Sequence, residues 1–263
     1  MKVLSCTRLA LSVVLISCLC GMSFADFNAA TFVSEFNAKN NGQGFRFTYT
    51  TVNGEAQLTQ VSGTASIDLS AYNSSKSTGG TNYFRTFCNE PNQGVSSIYK
   101  GSLNYSNGVT KNSEGKAVKL GTAVLYSQFA AGTLANYAYT GTSSTRTTDA
   151  GLLKTALQAT MGVTTVSNWN SNKYLAQLLA INSSQSYWTG AYDPNKYYAE
   201  VGDYAVFAMN NYSSSGAAQQ DFFYVTKANY DNGVPEPATL LLWSVGGMSL
   251  AGASWRKRRI TKK

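Results

Sequence analysis

Alternating apolar and polar positions dominate the first third of the chain and predict short antiparallel strands. Phe45, Phe47 and Tyr49 share one face of an extended segment, and Asn53-Gly54 then provides a two-residue hairpin turn. The predicted strands cover residues 44–50, 55–61, 65–69 and 83–88. A Ser/Gly loop is expected at 74–81. We therefore expect residues 26 to about 105 to be rich in strands.

The middle third changes to helical spacing. Helices are predicted over 118–134, from about Asp149 to Gly162, and over 174–181. Thr147 or Thr148 is the expected N-cap of the second helix. The chain then returns to strands over 204–209 and 222–226, which form a terminal hairpin. The pattern predicts an α+β fold, in which an antiparallel β-sandwich or barrel carries a helical insertion in its middle third.

Residues 1–25 have the pattern of a secretory signal peptide. Lys2 and Arg8 precede a short apolar run, and Ser23-Phe24-Ala25 is a small-x-small cleavage site. A lipoprotein signal ending at Cys18 is the alternative. Cleavage after residue 25 would place the mature protein outside the cytoplasm.

The other end of the chain carries a second targeting pattern. Pro235-Glu236-Pro237 is followed by an uncharged apolar run over 238–255 and then by the basic cluster 256–259. A plain membrane tail anchor is one interpretation. The order of the three parts resembles the PEP-CTERM sorting signal of Gram-negative bacteria. That resemblance implies a transient transmembrane helix, which exosortase, a membrane protease-transpeptidase, recognises and removes during export to the cell surface or extracellular matrix.

These patterns divide the chain into a signal peptide at 1–25, a domain at 26–233 and a sorting signal at 234–263. The formal net charge of +8 belongs largely to the two ends. Thirteen basic and twelve acidic residues remain between residues 26 and 233, so the domain is close to neutral. Its charge gives no reason to expect a nucleic-acid partner.

Cys88 is the one cysteine left after removal of the signal, and the sequence contains no histidine. A solitary cysteine in an exported protein is buried and inert, paired with another molecule, or reactive. The missing histidine excludes a Ser-His-Asp or Cys-His mechanism in its usual form. Neither a metal site of zinc-finger type nor any cofactor is expected.

Four stretches occur in an order that resembles thioester domains, a family of surface-protein modules. They are residues 83–90 with Thr86-Phe87-Cys88, residues 121–129, residues 150–161 with Leu157-Gln158-Ala159, and Gln220-Asp221. The resemblance implies that the Cys88 thiol condenses with the Gln158 carboxamide and releases ammonia. Asn89 and Ala159-Thr160-Met161 differ from the family, which has an apolar residue and an aromatic end at these positions.

The resemblance also implies supporting roles for three neighbours of this pair. Aromatic side chains such as Phe87 and Tyr126 would exclude water from the thioester. Glu90, or a tyrosine hydroxyl, would position or deprotonate an incoming amine.

The predicted function is covalent adhesion to an amine-bearing surface or matrix polymer, without turnover and therefore not as an enzyme. The alternative is a structural surface or matrix protein of the same fold, with a free, buried Cys88. A carbohydrate hydrolase using Asp and Glu is a third interpretation, but no spacing in the sequence singles out a carboxylate pair.

Overall fold

The computed structural model describes residues 27–40, 45–62, 64, 66–90 and 98–228. The strands are β1 (Arg46–Val52), β2 (Glu55–Gln60), β3 (Tyr83–Thr86), β4 (Ile98–Leu103), β5 (Tyr204–Tyr212) and β6 (Ala218–Lys227). The helices are α1 (Ala29–Asn40), α2 (Leu120–Ala131), α3 (Ser143–Thr160), α4 (Lys173–Ile181) and α5 (Gln185–Trp188).

The six strands form one antiparallel sheet in the order β3-β2-β1-β4-β5-β6, curled into a half-barrel. The fold class is therefore α+β, as predicted. The predicted hairpin turn is confirmed, because Asn53 and Gly54 have φ of +53° and +76° and Val52 pairs with Glu55. The described residues contain a single sheet of six strands. A β-sandwich needs two stacked sheets, so this alternative of the prediction is wrong for the described residues.

The curl brings the two edges of the sheet together just beyond the end of β3. Cys88 forms an isolated antiparallel bridge with Phe222 of β6. The Asn89 amide donates to the Asp221 carbonyl at 3.0 Å, and the Phe223 amide donates to the Phe87 carbonyl at 3.4 Å. The segment that carries Cys88 is thereby held against β6, its partner across the seam of the half-barrel.

Four helices are inserted between β4 and β5, which confirms the predicted helical middle third. Within this insertion α2 lies against α3, and the hydroxyls of Thr122 and Thr160 are 2.7 Å apart. On its other side α2 packs against β5 and β6, where the rings of Tyr126 and Phe223 are 5.3 Å apart. The insertion therefore connects the helix of Gln158 to the strand that pairs with Cys88.

Helix α1 and strand β4 were not predicted from the sequence. Ala29, Val33 and Phe36 are the buried positions of α1, at a helical spacing of three to four residues. Asn28 accepts a hydrogen bond from the Thr31 amide at 3.0 Å, as an N-cap does. This spacing was readable in the sequence, whereas Ile98-Tyr99-Lys100-Gly101 has no clear alternation and a glycine inside it.

Two local predictions are wrong. Residues 66–69 are not a strand, because the Asp68 carboxylate accepts hydrogen bonds from the Ser70 amide and hydroxyl and makes a local turn. Helix α3 begins at Ser143 with Thr142 as its N-cap, so Thr147 and Thr148 lie inside the helix. Their hydroxyls donate to carbonyls four residues back, which lets them continue the helix.

The predicted signal peptide and the apolar run near the carboxyl end lie outside the described residues. Within the part that is described, no helix has both the length and the apolar character that a membrane crossing requires. Phe27–Tyr230 forms one compact unit.

Candidate functional site

Cys88 lies where the end of β3 meets β6, and its position follows from the strand pairing described above. The residue is 8% exposed and its thiol is free. Phe87 and Asn89 on either side are almost fully buried. Cys88 is therefore largely shielded from water.

Gln158 is on the last turn of α3 and is 7% exposed. Its side-chain amide nitrogen donates a hydrogen bond to the backbone carbonyl of Cys88 at 3.4 Å. The two residues are 70 positions apart, so this contact exists only in the folded chain. The two residues that the sequence singled out are thus direct neighbours.

A buried ion cluster joins the strand of Cys88 to the helix of Gln158. Glu55, which is fully buried, accepts a hydrogen bond from Arg85 of β3 at 2.9 Å. Its carboxylate also accepts two from Arg146 of α3, at 2.6 Å and 2.9 Å, and one from the Tyr137 hydroxyl. Charge-assisted and bidentate hydrogen bonds of this kind are the strong ones in proteins. Glu55 gave no signal in the sequence, because the residues that bind its carboxylate are 30 or more positions away.

Aromatic rings cover one side of this region. Phe87 is 1% exposed and packs edge-on against Phe129 of α2, with ring centroids 4.9 Å apart. The Tyr126 hydroxyl donates to the Phe223 carbonyl at 2.9 Å and lies 3.0 Å from the Tyr72 hydroxyl. Burial raises the pKa of Tyr126, so its hydroxyl is neutral at physiological pH. Tyr126 therefore orders the packing around the seam and is not available as a base.

Trp188 of α5 and Thr160 of α3 both lie against Gly121 of α2. A Cβ atom placed on Gly121 would lie 2.8 Å from Thr160 Cγ2 and 3.2 Å from Trp188 Cβ. Both side chains therefore pack against Gly121, and the indole is fully buried. A distant segment thus contributes a buried indole to the helical insertion, which no local motif in the sequence indicated.

Glu90 and Asp221 form a second buried group beside Cys88. Both residues are fully buried, and Ser113 connects them: its hydroxyl donates to Glu90 at 2.7 Å and its amide donates to Asp221 at 2.6 Å. The Asp221 amide donates to the Glu90 carboxylate at 3.3 Å, and the Asn211 amide donates to Asp221 at 2.9 Å.

The electrostatics of this group are unusual. Burial raises the pKa of Asp221 to about 7, and the negative charge of Glu90 raises it further. The hydrogen bonds from the backbone amides of Ser113 and Asn211 lower the pKa but do not cancel the effect of burial. The sequence pointed to Glu90 but gave no indication that Ser113 and Asp221 would lie against it.

Among the described residues no cluster of three or more His, Cys, Asp or Glu side chains is placed to hold a metal ion. The groups that the structure brings together at the seam are a thiol, a carboxamide and two carboxyl groups.

Residues 233–259 match the PEP-CTERM protein-sorting motif. The match contains Pro235, Glu236 and Pro237, which lie outside the described part of the structure. The motif indicates export that depends on exosortase as the processing partner, with a location at the cell surface or outside the cell. No curated protein and no solved structure matches this chain.

Proposed function

We propose that Cys88 and Gln158 form an internal thioester, and that the exported protein uses it to attach covalently to an amine-bearing surface or matrix polymer. The observation that supports this proposal is the contact between the Gln158 carboxamide and the Cys88 backbone at 3.4 Å, with each residue less than a tenth exposed. The order of motifs that resembles thioester domains points to the same pair.

The proposed chemistry needs no histidine. The Cys88 sulfur attacks the side-chain carbonyl carbon of Gln158, the carbon–nitrogen bond breaks, and ammonia leaves with the proton of the thiol. An amine of the partner later attacks the same carbonyl carbon. The Cys88 thiolate then leaves, takes up the proton that the amine loses, and an amide bond remains. Each molecule reacts once, so the protein is not a catalyst with turnover.

The surrounding residues have matching roles in this proposal. Phe87 would exclude water, because hydrolysis of the thioester competes with attack by an amine. Tyr126 would support this packing as a neutral hydroxyl. Glu90, two positions after Cys88 in the chain, would orient or deprotonate the amine as a general base.

The sorting motif defines the setting in which this chemistry would occur. We propose a cell envelope of Gram-negative type, in which the apolar run over 238–255 anchors the protein in the membrane until exosortase removes it. The protein would then meet its partner outside the cell, where amine groups of neighbouring polymers are accessible.

Intact mass spectrometry of the purified protein tests the thioester. We expect a mass lower by one ammonia than the sequence requires, and the full mass in Cys88→Ala and Gln158→Ala. Methylamine should react with the wild-type protein and leave a methylamide on Gln158. Gln177→Ala, which removes a carboxamide that donates to the Ala135 carbonyl, is the matched control and should keep the ammonia loss.

A structural surface or matrix protein with a free Cys88 is the second candidate. The free, buried Cys88 favours it, and the hydrogen bond from Gln158 to the Cys88 carbonyl then only satisfies the donor of a buried carboxamide. Full mass in the wild-type protein, together with alkylation of Cys88 by iodoacetamide, would support this candidate and reject the thioester.

A further inference from the structure

Arg85 is a buried cation that uses few of its hydrogen-bond donors. The residue is 8% exposed, and among the described residues its side chain makes one hydrogen bond, from Nη1 to Glu55 at 2.9 Å. Its Nε atom is buried and has no acceptor in the described part of the chain. A guanidinium group carries five N–H donors, and buried donors in proteins are normally satisfied. The Nε side of Arg85 therefore requires an explanation.

Arg146, which binds the same carboxylate, is fully satisfied by comparison. Its Nε and Nη2 donate to the two oxygens of Glu55. The other N–H groups donate to three backbone carbonyls, those of Lys76, Ser77 and Tyr139. All five donors of this guanidinium are in use. The ion cluster thus contains one arginine that is complete and one that is not.

The charges of the cluster show the same imbalance. Its two guanidinium groups face the single carboxylate of Glu55. Burial and the charge of Glu55 raise the pKa of Tyr137, so its hydroxyl is neutral and adds no negative charge. Asp149, also on α3, is paired with Lys173 at 2.5 Å. The cluster therefore has a net charge of +1 in a place where an unbalanced charge is costly.

We propose that Arg85 binds one carboxylate group from outside the protein through its Nε and Nη2 atoms. This edge of a guanidinium has two parallel N–H groups that match the two oxygens of a carboxylate. Nη1 is already held by Glu55, so the edge is fixed in direction. A carboxylate brings a charge of −1, which balances the cluster, whereas a phosphate dianion would reverse the imbalance.

The sheet provides a way in from the surface. Gln57 of β2 lies directly opposite Arg85, and Thr50 of β1 lies directly opposite Gln57. Directly opposite residues share one face of a sheet, so a row runs from Arg85 through half-buried Gln57 to exposed Thr50. The side chain of Arg85 is itself 10% exposed. Both neighbours carry polar groups that can donate to a bound oxygen.

The carboxylate could come from a small soluble molecule or from a uronic acid unit of an extracellular polymer. The described domain is close to neutral, with thirteen basic and twelve acidic residues between positions 26 and 233. A broad attraction for polyanions is therefore not expected, and the site selects a single group. The proposal does not depend on the thioester, because no step uses the sulfur or Gln158.

NMR spectra of the arginine Nε–Hε groups test the proposal on the wild-type protein. We expect the Arg85 signal to shift and saturate with sodium acetate, and not to shift with NaCl of equal ionic strength. Arg85→Lys identifies the signal by its loss. The signal of Arg46, an exposed arginine on β1, should stay in place and is the internal control. No shift with acetate, or an equal shift with chloride, would overturn the proposal.

Thermal unfolding gives a second measurement. Acetate should raise the Tm of the wild-type protein and of Arg46→Lys above the value in NaCl. It should not raise the Tm of Arg85→Lys, which keeps the positive charge but has no Nε–Nη2 edge. A rise of the same size in Arg85→Lys would contradict the proposal.

Galacturonate and polygalacturonate distinguish the two sources of the carboxylate. If the polymer shifts the Arg85 signal at the same carboxylate concentration as the monomer, the site accepts a group on a chain. If only acetate and the monomer shift it, the site takes a soluble carboxylate. Either result supports recognition of a carboxylate by Arg85.

Discussion

Glu55 and Arg146 form a bidentate ion pair in the interior, with Nε and Nη2 of the arginine 2.6 Å and 2.9 Å from the two carboxylate oxygens. Arg85 binds the same carboxylate from β3. Arg85 precedes Cys88 by three residues, and Arg146 is on the helix of Gln158. Glu55 therefore fixes the distance between the two segments on which the proposed thioester depends.

Glu55→Gln should destabilise the protein by about 3–5 kcal/mol, because it leaves two buried arginines without their counter-charge. Urea unfolding measures this change. Lys196→Gln is the control, since it breaks a pair at 3.9 Å whose lysine side chain is 70% exposed and should cost less than about 1 kcal/mol. Because Glu55 holds the segments of Cys88 and Gln158 together, we also expect a smaller share of the folded Glu55→Gln protein to show the mass loss of one ammonia. A cost equal to that of the control would contradict the structural role of Glu55.

The raised pKa of Asp221 predicts a pH dependence of stability. The pKa is about 7 in the folded protein and near 3.8 when unfolded, so between these values the folded state binds more protons. Stability should therefore fall as the pH rises from about 4 to 7, by up to about 4 kcal/mol at about 1.4 kcal/mol per pH unit. Asp221→Asn should remove this part of the slope. Urea unfolding at several pH values measures it, and a slope unchanged by the substitution would show that the carboxyl group titrates normally.

Replacement of Pro235, Glu236 and Pro237 by alanine should stop processing. Because the apolar run would then stay attached, we expect the precursor to accumulate in the membrane fraction at its uncleaved mass. Fractionation followed by mass spectrometry of the carboxyl-terminal peptide measures this. Alanine at Asn229 and Asp231, upstream of the residues that match the sorting motif, is the control and should leave processing intact. Normal release of the triple variant would contradict a role for these three residues.

Much of the fold was predictable because its signals are local. The hairpin at Asn53-Gly54 needs two residues with positive φ, and both are visible in the sequence. Helices α2 and α4 and the terminal hairpin also begin and end near their predicted positions. The start of α3 was misplaced because three threonines close together, Thr142, Thr147 and Thr148, are all suitable N-caps, and only packing selects one.

The candidate site also has a part that could be predicted from the sequence and a part that could not. Cys88 and Gln158 could be chosen from the sequence because each belongs to a short motif, and Glu90 because it follows the cysteine. Asp221, Ser113 and Glu55 could not be assigned partners, because the hydrogen bonds from Arg85 to Glu55, from Ser113 to Asp221 and from Asp221 to Glu90 span 30, 108 and 131 positions in the chain.

The sequence by itself determined the sorting of this protein for export, the solitary thiol and the order of strands and helices. These depend on composition and on residues near one another in the chain. Only the tertiary structure decided which groups meet. The closing of the sheet edge at Cys88 and Phe222 brings the end of β3 against β6, and the Glu55 ion cluster joins β3 to α3. The physical reason is that such long-range contacts form only when the whole chain has buried its apolar surface, and no local pattern encodes them.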